Sequence, residues 1–382
     1  MIRYAQPVVD EADIAAVTAV LRTPDLTQGE GVPRFERCVA QYCGAAQAVA
    51  VNSATSALQL ACVALGLKPG DRYWTTPISF VATANAARHC GAIVEFVDIE
   101  PVSRNLCVQA LAARLELAER QGTLPAIVVP VHFGGRLCDM PRIGELARRY
   151  GFRVIEDAAH ALGARDPGSA EPAGAARHSD CCIFSFHAIK LATSGEGGVL
   201  TTRDPELAAR LRRLRSHGIT HDPAQMSQAA DGPWAYAQTE LGFNYRMSDI
   251  QAALGMSQMQ RAERFLARRR QLARRYDRLL AGLPLTRPSL SRAEEDAWHL
   301  YAIEVDPQRR LAVYERLHAQ GIGVNVHYQP IYRQPYYRQQ ATAAACPAAE
   351  AYYAGALSLP LHAALADDDQ DRVVEALHAA LA

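Results

Sequence analysis

Lys190 is the residue of this sequence whose surroundings best suit covalent chemistry. It lies between a short apolar run that ends at Phe186 and a Gly-Glu-Gly-Gly turn at residues 195–198, which a second apolar run follows. This order predicts a strand, a loop, a tight turn and another strand. A lysine among apolar side chains is partly desolvated, which lowers its pKa toward the range in which the neutral amine attacks a carbonyl. An ordinary surface lysine in a hairpin explains the same stretch, because short motifs also match by chance.

A second candidate is Asp157, which follows the apolar run at residues 152–155 and precedes two alanines and His160. A carboxylate at a strand end in an apolar setting is costly unless it meets a cation. A helix cap for the next segment explains Asp157 equally well. His160, taken alone, suits a hydrogen-bonded structural histidine better than a catalytic one.

A third candidate is the polar segment Asn52-Ser53-Ala54-Thr55-Ser56, between a buried strand predicted at residues 48–51 and a helix predicted at residues 57–65. Ser and Thr at a helix start cap the free N–H groups, and the same groups together with the helix dipole bind anions. A plain cap is the commoner explanation for the segment alone. Beside a lysine that binds a cofactor, a phosphate site is favoured.

The three candidates together match the needs of one cofactor. Pyridoxal phosphate (PLP) requires a site for its phosphate, a carboxylate that keeps its pyridine nitrogen protonated, and an amine that binds its carbonyl. The helix start, Asp157 and Lys190 supply one of each. A chance coincidence of all three is far less expected than a chance match of any one.

The scaffold that must position these residues is predicted from the alternation of short apolar runs with helical patterns. Further strands are expected at residues 73–78, 93–97, 127–131 and 199–202, with helices at 10–22, 81–90, 108–120 and 206–215. Such alternation predicts a parallel or mostly parallel sheet with helices on both faces. Ligands bind such sheets at the carboxyl ends of the strands, which is where Asp157 and the segment after residue 51 fall.

The last third of the chain predicts a different organisation. A long loop is expected at residues 220–239, then one helix from residue 250 to about 280 that links two domains, then strands at 302–305 and 323–327 and helices at 311–320 and 371–381. We therefore expect a large domain at residues 1–250, followed by the linking helix and a small α+β domain at residues 251–382.

Composition limits the classes of function. Lys+Arg and Asp+Glu both number 40, so the formal net charge is zero. Nothing therefore indicates an electrostatic potential that would attract nucleic acid or an anionic membrane. Charged residues occur near the N-terminus before any apolar run reaches the length found in a signal peptide, so we expect a cytoplasmic protein. The nine cysteines form no CxxC pair, and we expect reduced thiols and no metal site. The expected partners are small molecules and further copies of the chain.

A series of motifs resembles those of the fold type I, PLP-dependent sugar-nucleotide aminotransferases over nearly the whole chain. The motifs are Leu26-Thr27-Gln28-Gly29, Asn52 to Leu58, Phe80 to Ala86, Glu156 to His160, Phe184 to His187, Lys190, Gly195 to Gly198 and Gly242 to Met247. The resemblance implies an α/β large domain with a mostly parallel sheet between helices and a smaller α+β C-terminal domain. Two positions depart from the usual pattern: Ala54 stands where many relatives have glycine, and the loop at residues 132–135 differs.

The resemblance also implies a role for individual residues. The implied catalytic residues are Lys190, which binds PLP covalently and moves a proton between substrate and cofactor, Asp157, which pairs with the pyridine nitrogen, and His160, near the cofactor's phenolic oxygen. Phe80 would stack on the ring. The remaining implied residues are Ala54, Thr55 and Ser185 at the phosphate, Asn244 at the phosphate of a neighbouring subunit's cofactor, and Thr27, His187, Arg246, His327 and Tyr328 at the substrate. A homodimer with shared sites follows.

Within this family, His187-Ala188-Ile189-Lys190 and Ser216-His217-Gly218-Ile219 most resemble enzymes that aminate carbon 4 of a UDP-linked keto-sugar in pseudaminic acid biosynthesis, with glutamate as the implied amino donor. Three alternatives stay open to different degrees. A sugar dehydratase of the same fold carries histidine in place of the lysine, and Lys190 argues against it. The second alternative is a non-enzymatic, cofactor-dependent sensor of the same fold, and no basic patch in the sequence supports it. The third is an aminotransferase for free amino acids, which only the family resemblance excludes.

Overall fold

A computed structural model of the chain describes residues 1–226, 232–339 and 346–382. The helices in these ranges are α1 Glu11–Leu21, α2 Gly31–Cys43, α3 Ala54–Ala64, α4 Ala82–His89, α5 Val108–Gln121, α6 Met140–Tyr150, α7 Pro205–Leu214, α8 Asp249–Met259, α9 Ala262–Leu279, α10 Arg310–Ala319, α11 Pro335–Arg338, α12 Pro347–Gly355 and α13 Asp367–Leu381. The strands are β1 Gln47–Val51, β2 Arg72–Thr75, β3 Ile93–Phe96, β4 Ile127–Val129, β5 Arg153–Asp157, β6 Cys181–Ser185, β7 Gly198–Thr202, β8 Ile219–Thr220, β9 Ala237–Gln238, β10 Tyr301–Glu304 and β11 Ala356–Leu359.

The first seven strands form one sheet in the order β1-β7-β6-β5-β4-β2-β3. Only β7 runs antiparallel to its two neighbours; the other pairs, from β6 to β3, are parallel. The mostly parallel sheet predicted from the sequence is therefore confirmed. Because β7 is reversed, its first residue Gly198 lies at the same edge of the sheet as Asp157 and Ser185, the last residues of β5 and β6.

Helices cover both faces of this sheet. Successive side chains along a strand point to opposite faces, so a strand of apolar residues needs cover on both. On β6, Cys181 and Ile183 pack into one apolar cluster together with α3, α4 and α7. The intervening residues, Cys182 and Phe184, pack into a second cluster with α2 and α8. All four side chains are fully buried, so the strand that leads to Lys190 is held on both sides.

The C-terminal part is an α+β arrangement, as expected. Strands β10 and β11 pair antiparallel, and a separate apolar cluster joins them to α9, α10 and α13. Ile2 belongs to this cluster, and a single bridge joins it to Ile322. The division of the chain at residue 250 stays a prediction.

Two sequence predictions about this part are wrong. The single helix from residue 250 to 280 is two helices, α8 and α9, broken at Gln260 and Arg261. The guanidinium of Arg261 binds the carboxylates of Asp10 and Asp13 at the start of α1, and these two tertiary ion pairs fix the break.

The expected strand at residues 323–327 is also wrong. Asn325 makes one bridge, to Ser358, and its side-chain Oδ1 accepts a hydrogen bond of 2.8 Å from the N–H of Val326. A side chain that takes the next N–H competes with a strand ladder. The long loop expected at residues 220–239 begins and ends in the two-residue strands β8 and β9, and its residues 227–231 lie outside the described residues.

No helix among the described residues combines the length and the apolar character that crossing a bilayer demands.

Candidate active site

A cavity of about 800 Å³ opens at the edge of the sheet where β5 and β6 end, a size typical of small-molecule sites. One wall comes from the ends of the sheet strands and the start of α3, and the opposite wall comes from residues 325–329. Ten of the residues predicted for the site line it: Ala54, Thr55, Phe80, Asp157, His160, Ser185, His187, Lys190, His327 and Tyr328. The structure thus brings together residues that are up to 274 positions apart in sequence.

Three predicted site residues, Thr27, Asn244 and Arg246, do not line this cavity. They lie together on a neighbouring surface, since Thr27 bridges to Ser248 and the flanking Tyr245 accepts a hydrogen bond from the N–H of Asn52. Thr27 and Asn244 are exposed. Within one chain these three residues therefore have no contact with the cavity.

Lys190 lies in the loop between β6 and β7 and lines the cavity. Burial lowers the pKa of the Lys190 ammonium to about 8, against the attraction of the Asp157 carboxylate. Roughly a tenth of the amine at pH 7, and about half at pH 8, is therefore unprotonated and able to attack a carbonyl. The sequence contains only one other lysine, Lys68, which is exposed at the end of α3 and does not line the cavity.

Asp157 is held as an oriented hydrogen-bond acceptor. Its Oδ2 accepts a hydrogen bond of 2.7 Å from the hydroxyl of Thr83, and its Oδ1 accepts one of 3.2 Å from the N–H of Ala159. The Thr83 hydroxyl lies in turn 2.7 Å from that of Ser79. The carboxylate is only 5% exposed, and it still lines the cavity. Such a group can bind a protonated ring nitrogen through a charge-assisted hydrogen bond.

The start of α3 forms a cradle for an anion. Ser53 caps the helix by accepting a hydrogen bond of 3.1 Å from the N–H of Ser56. The first N–H groups of a helix have no acceptor within the helix, so those of Ala54 and Thr55 suit a phosphate. A Cβ at Gly198 would lie 2.5 Å from the carbonyl oxygen of Ser53 and 2.6 Å from the nitrogen of Ala54. The helix start is therefore packed directly on the edge of the sheet.

His160 and Tyr328 link the two walls of the cavity. The hydroxyl of Tyr328 lies 3.3 Å from Nε2 of His160, and burial together with the charge of Lys190 holds the pKa of His160 well below its ordinary value. The other ring nitrogen, Nδ1, is buried without a hydrogen-bond partner among the described residues. An orphaned buried nitrogen at a cavity is a natural contact for a bound ligand.

Phe80 and His187 lie at the mouth of the cavity. Phe80 is 60% exposed, unusual for a phenyl ring, and its centroid lies 6.5 Å from that of Tyr328. An exposed aromatic face that lines the same cavity as Asp157 can stack on a planar ring. Nε2 of His187 lies 3.7 Å from the Glu196 carboxylate, and both side chains line the cavity.

Sequence reasoning assigned no role to Thr83 or His299, which contact the two central groups of the site. Thr83 binds Asp157, and Nε2 of His299 lies 3.5 Å from Nζ of Lys190. Thr83 falls inside the motif that starts at Phe80, in the first turn of a helix after a strand, and that position could have identified it. His299 follows an irregular loop, and no motif or periodicity marked it.

The features of this cavity fit PLP. It offers an amine with a low pKa, an oriented carboxylate, a helix start for the phosphate and an exposed aromatic face.

Comparison with known proteins identifies the family. Residues 7–378 match the model of the DegT/DnrJ/EryC1/StrS aminotransferase family. The chain is 39% identical to the spore coat polysaccharide biosynthesis protein SpsC of Bacillus subtilis, over 98% of this chain and 95% of that protein. It is 36% identical to the UDP-4-amino-4,6-dideoxy-N-acetyl-beta-L-altrosamine transaminase of Campylobacter jejuni, over 95% of this chain and 93% of that protein.

The structural comparison agrees. The aminotransferase PseC of Helicobacter pylori, described as involved in the biosynthesis of pseudaminic acid, matches with a TM-score of 0.89 and 29% identity, over 100% of this chain and 99% of that one. Other relatives of comparable identity are named for a UDP-linked aminoarabinose and for GDP-perosamine. A matching structure of another sugar aminotransferase is described as its PLP form. The chain is a member of the DegT/DnrJ/EryC1/StrS family, a sugar aminotransferase of PLP fold type I whose cofactor is PLP.

Proposed function

We propose that this enzyme transfers an amino group from glutamate to carbon 4 of a UDP-linked 2-acetamido-2,6-dideoxy-4-keto-hexose of the L-series, in pseudaminic acid biosynthesis. The observation that carries the chemistry is the meeting of Lys190 and Asp157 in one cavity. The observation that favours this sugar is the similarity, along nearly the whole chain, to the Campylobacter jejuni transaminase and to the Helicobacter pylori enzyme.

The residues of the cavity have separate roles. When bound, PLP carries the amino group and serves as an electron sink. Asp157, oriented by Thr83 and Ala159, would accept a hydrogen bond from the protonated ring nitrogen and would keep that proton in place. The start of α3 and the hydroxyl of Ser185 would hold the phosphate. Lys190 would hold the cofactor covalently, and its free amine could take up or give back a proton near neutral pH.

The wall opposite Lys190 orients the sugar. Nδ1 of His327 lies 2.8 Å from the hydroxyl of Ser358, which fixes the imidazole, and burial lowers its pKa to about 4. A neutral imidazole and the hydroxyl of Tyr328 can both bind sugar hydroxyl or amide groups. On the other side His187, paired with Glu196, lies where the cavity opens, and we assign it to the substrate as well.

A panel of nucleotide-linked 4-keto-6-deoxysugars, with product identification by mass spectrometry, tests the substrate. The two epimers at carbon 5 cannot both present the keto carbon at reacting distance without moving the methyl group or the nucleotide. We expect kcat/KM to favour the L-series sugar by on the order of a hundredfold. Equal rates, or preference for a D-series sugar or a dTDP or GDP carrier, would remove the pathway assignment and leave the aminotransferase activity standing.

A second candidate substrate is a GDP-linked 4-keto-6-deoxysugar, favoured by the relative named for GDP-perosamine. The same panel separates the two, because the carriers are compared on the same sugar. Incubation with glutamate alone tests the donor and also separates an enzyme from a cofactor-dependent sensor: the enzyme should convert its bound PLP to the amine form and release 2-oxoglutarate.

We propose that the active form is a homodimer in which Asn244 reaches the phosphate of the cofactor in the other subunit, with Thr27 and Arg246 at the same shared site. Leu241, just before Asn244, is 84% exposed and Trp234 is 75% exposed, so this surface leaves large apolar side chains for a partner to cover. Each cavity would then be completed in trans, as a two-fold symmetric pair allows.

Mixing inactive Lys190→Ala chains with inactive Asn244→Ala chains tests this arrangement. In a hybrid dimer one site carries both lesions and the other carries neither, so activity should return toward half of the wild-type value per hybrid. If activity does not return although subunit exchange is proven, Asn244 acts within its own subunit's site.

We further propose a cytoplasmic enzyme with a large domain at residues 1–250 and a linking and C-terminal part at residues 251–382.

A further inference from the structure

The amine of Lys190 has a partner outside the sheet that carries it. Nε2 of His299 lies 3.5 Å from Nζ, and His299 is only 6% exposed. The imidazole of His299 also faces that of His160, with ring centroids 4.2 Å apart. Lys190 and His299 are 109 positions apart in sequence, so the fold brings them together at the join between the sheet and the C-terminal part.

The backbone around His299 is held in a costly conformation. Trp298, directly before it, has a φ of +50°, in the left-handed region that a bulky side chain rarely adopts. The neighbouring N–H groups of Ala297 and His299 donate hydrogen bonds of 2.8 Å to the carbonyls of Gly135 and Gly134. Strain of this kind persists where the surroundings impose it and is concentrated at functional sites. His299 is the next residue, so the position of its side chain depends on this turn.

A buried cation anchors the same turn. Arg269 is 2% exposed, and its Nη1 lies 3.3 Å from the carbonyl oxygens of both Trp298 and His299 and 2.9 Å from that of Leu361. Among the described residues it makes no salt bridge with a carboxylate. The pKa of His299 lies well below its ordinary value, mainly because the imidazole is buried and also because the charges of His160, Lys190 and Arg269 are nearby. His299 is therefore neutral and can offer a ring nitrogen as acceptor.

We propose that His299 is a positioning residue for Lys190: its Nε2 accepts a hydrogen bond from the lysine amine and holds that amine toward the cavity whenever Lys190 is not bonded to the cofactor. Sequence reasoning gave His299 no role. The proposal rests on the assignment of Lys190 as the cofactor-binding lysine but not on the identity of the sugar.

The lysine content of the chain permits a direct test. The full-length protein is loaded with pyridoxamine phosphate, which leaves Lys190 free, and is treated with formaldehyde and cyanoborohydride over a range of pH. Mass spectrometry then compares methylation of Lys190 with that of Lys68, the internal reference. The acceptor stabilises the ammonium form, so in His299→Leu the midpoint of Lys190 labelling should fall by on the order of one pH unit, while that of Lys68 stays in place.

Steady-state kinetics supply the second readout. We expect kcat of His299→Leu to fall by roughly tenfold with KM for the sugar nucleotide changed less than about twofold, and His299→Gln, which keeps an acceptor, to recover most of kcat and of the labelling midpoint. The control is His362→Gln, which removes an equally buried imidazole that binds the carbonyl of Arg3 and does not line the cavity.

An unchanged labelling midpoint in a folded His299→Leu, or an equal loss of kcat in the His362 control, would overturn the proposal. So would a His299→Gln variant no better than His299→Leu. A sugar panel that identifies a different substrate would leave the labelling result untouched, so failure of the substrate assignment and failure of this inference are distinguishable.

Discussion

The two walls of the cavity are built in different ways. The sheet wall consists of the residues at strand ends and at the start of α3: Ala54, Thr55, Asp157, Ser185 and the adjoining Lys190. The C-terminal wall includes His327 and Tyr328, and His299, which belongs to the same part of the chain but does not line the cavity, contacts Lys190. Apart from Lys190, which lies in the loop between β6 and β7, each sheet-wall residue belongs to a strand end or a helix start. The C-terminal part instead lies on irregular backbone that includes the left-handed Trp298 and the single bridge at Asn325.

This difference separates the chemistry that the fold supplies from the chemistry that tertiary contacts supply. Parallel strands bring their carboxyl ends to one edge whatever the loops do, so the sheet wall gathers the amine, the carboxylate and the phosphate site. The C-terminal wall depends on contacts between distant segments, such as Arg269 with the carbonyls of the turn before β10. We therefore expect losses in the sheet wall to abolish the reaction and losses in the C-terminal wall to tune it.

The largest effect is expected for Lys190→Met, which removes the only lysine in the cavity. Activity should fall by on the order of 10⁵-fold, because covalent binding of the cofactor and proton transfer are lost together. Borohydride reduction followed by peptide mass spectrometry should find a PLP adduct on Lys190 in the wild type and none in the variant. Lys68→Met is the matched control and should keep both the adduct and the activity. A normal adduct in Lys190→Met would refute the assignment.

The next effect is expected for Asp157→Asn. The amide keeps the shape of the carboxylate but loses its charge, so kcat should fall by roughly a hundred- to a thousandfold, the usual effect of removing such an electrostatic partner. Affinity for the cofactor, measured by titration of the cofactor-free protein, should fall less than kcat. If Asp157→Asn keeps near-normal turnover, the carboxylate does not hold the ring nitrogen.

The sequence predicted the sheet wall because local pattern and chemistry coincide there. An apolar run that ends in Asp157, or a strand that leads into Ser53 and Thr55, marks both the element and the group at its end. The same reasoning could not find His299, since its place depends on Trp298, Gly134 and Gly135, which are far apart in sequence or irregular in backbone.

The errors in the fold have the same origin. Helical periodicity continues through Gln260 and Arg261, and only the ion pairs with Asp10 and Asp13, some 250 positions away, indicate the break between α8 and α9. The missing strand at residues 323–327 likewise reflects a side-chain contact, that of Asn325 with the next N–H. Periodicity describes which residues are buried, but it does not describe which distant residue each one meets.

A smaller effect tests how much the reaction depends on the hydrogen bond that orients Asp157. Thr83→Val replaces the hydroxyl that donates to Asp157 with a methyl group of similar size. We expect kcat to fall by about tenfold, the usual scale for losing one hydrogen bond to a charged group. Thr75→Val is the matched control, because its equally buried hydroxyl binds the backbone carbonyl of Val129 and does not touch the cavity. Equal losses in both variants would point to sheet packing instead.

The smallest effect concerns the C-terminal wall and is a change of stability with pH. Burial, helped by the charge of Lys190, lowers the pKa of His327 to about 4, whereas an unfolded histidine titrates near 6.5. The stabilisation is therefore complete above pH 6.5 and is lost as the pH falls toward 4, because the unfolded chain takes up a proton that the folded chain excludes. Between pH 7 and about 5.5 this one group should cost about 1 kcal/mol of unfolding free energy.

Urea unfolding of the cofactor-free, full-length protein at both pH values measures this cost. His327→Asn removes the titrating group, so its unfolding free energy should fall by about 1 kcal/mol less than that of the wild type over the same interval. His378→Asn, at an exposed position on α13, reports the effect of the substitution itself. Parallel pH profiles for the wild type and His327→Asn would mean that folding does not lower the pKa of His327, and the C-terminal wall would then offer the sugar an imidazole that gains a proton near pH 6.5 rather than one that stays neutral.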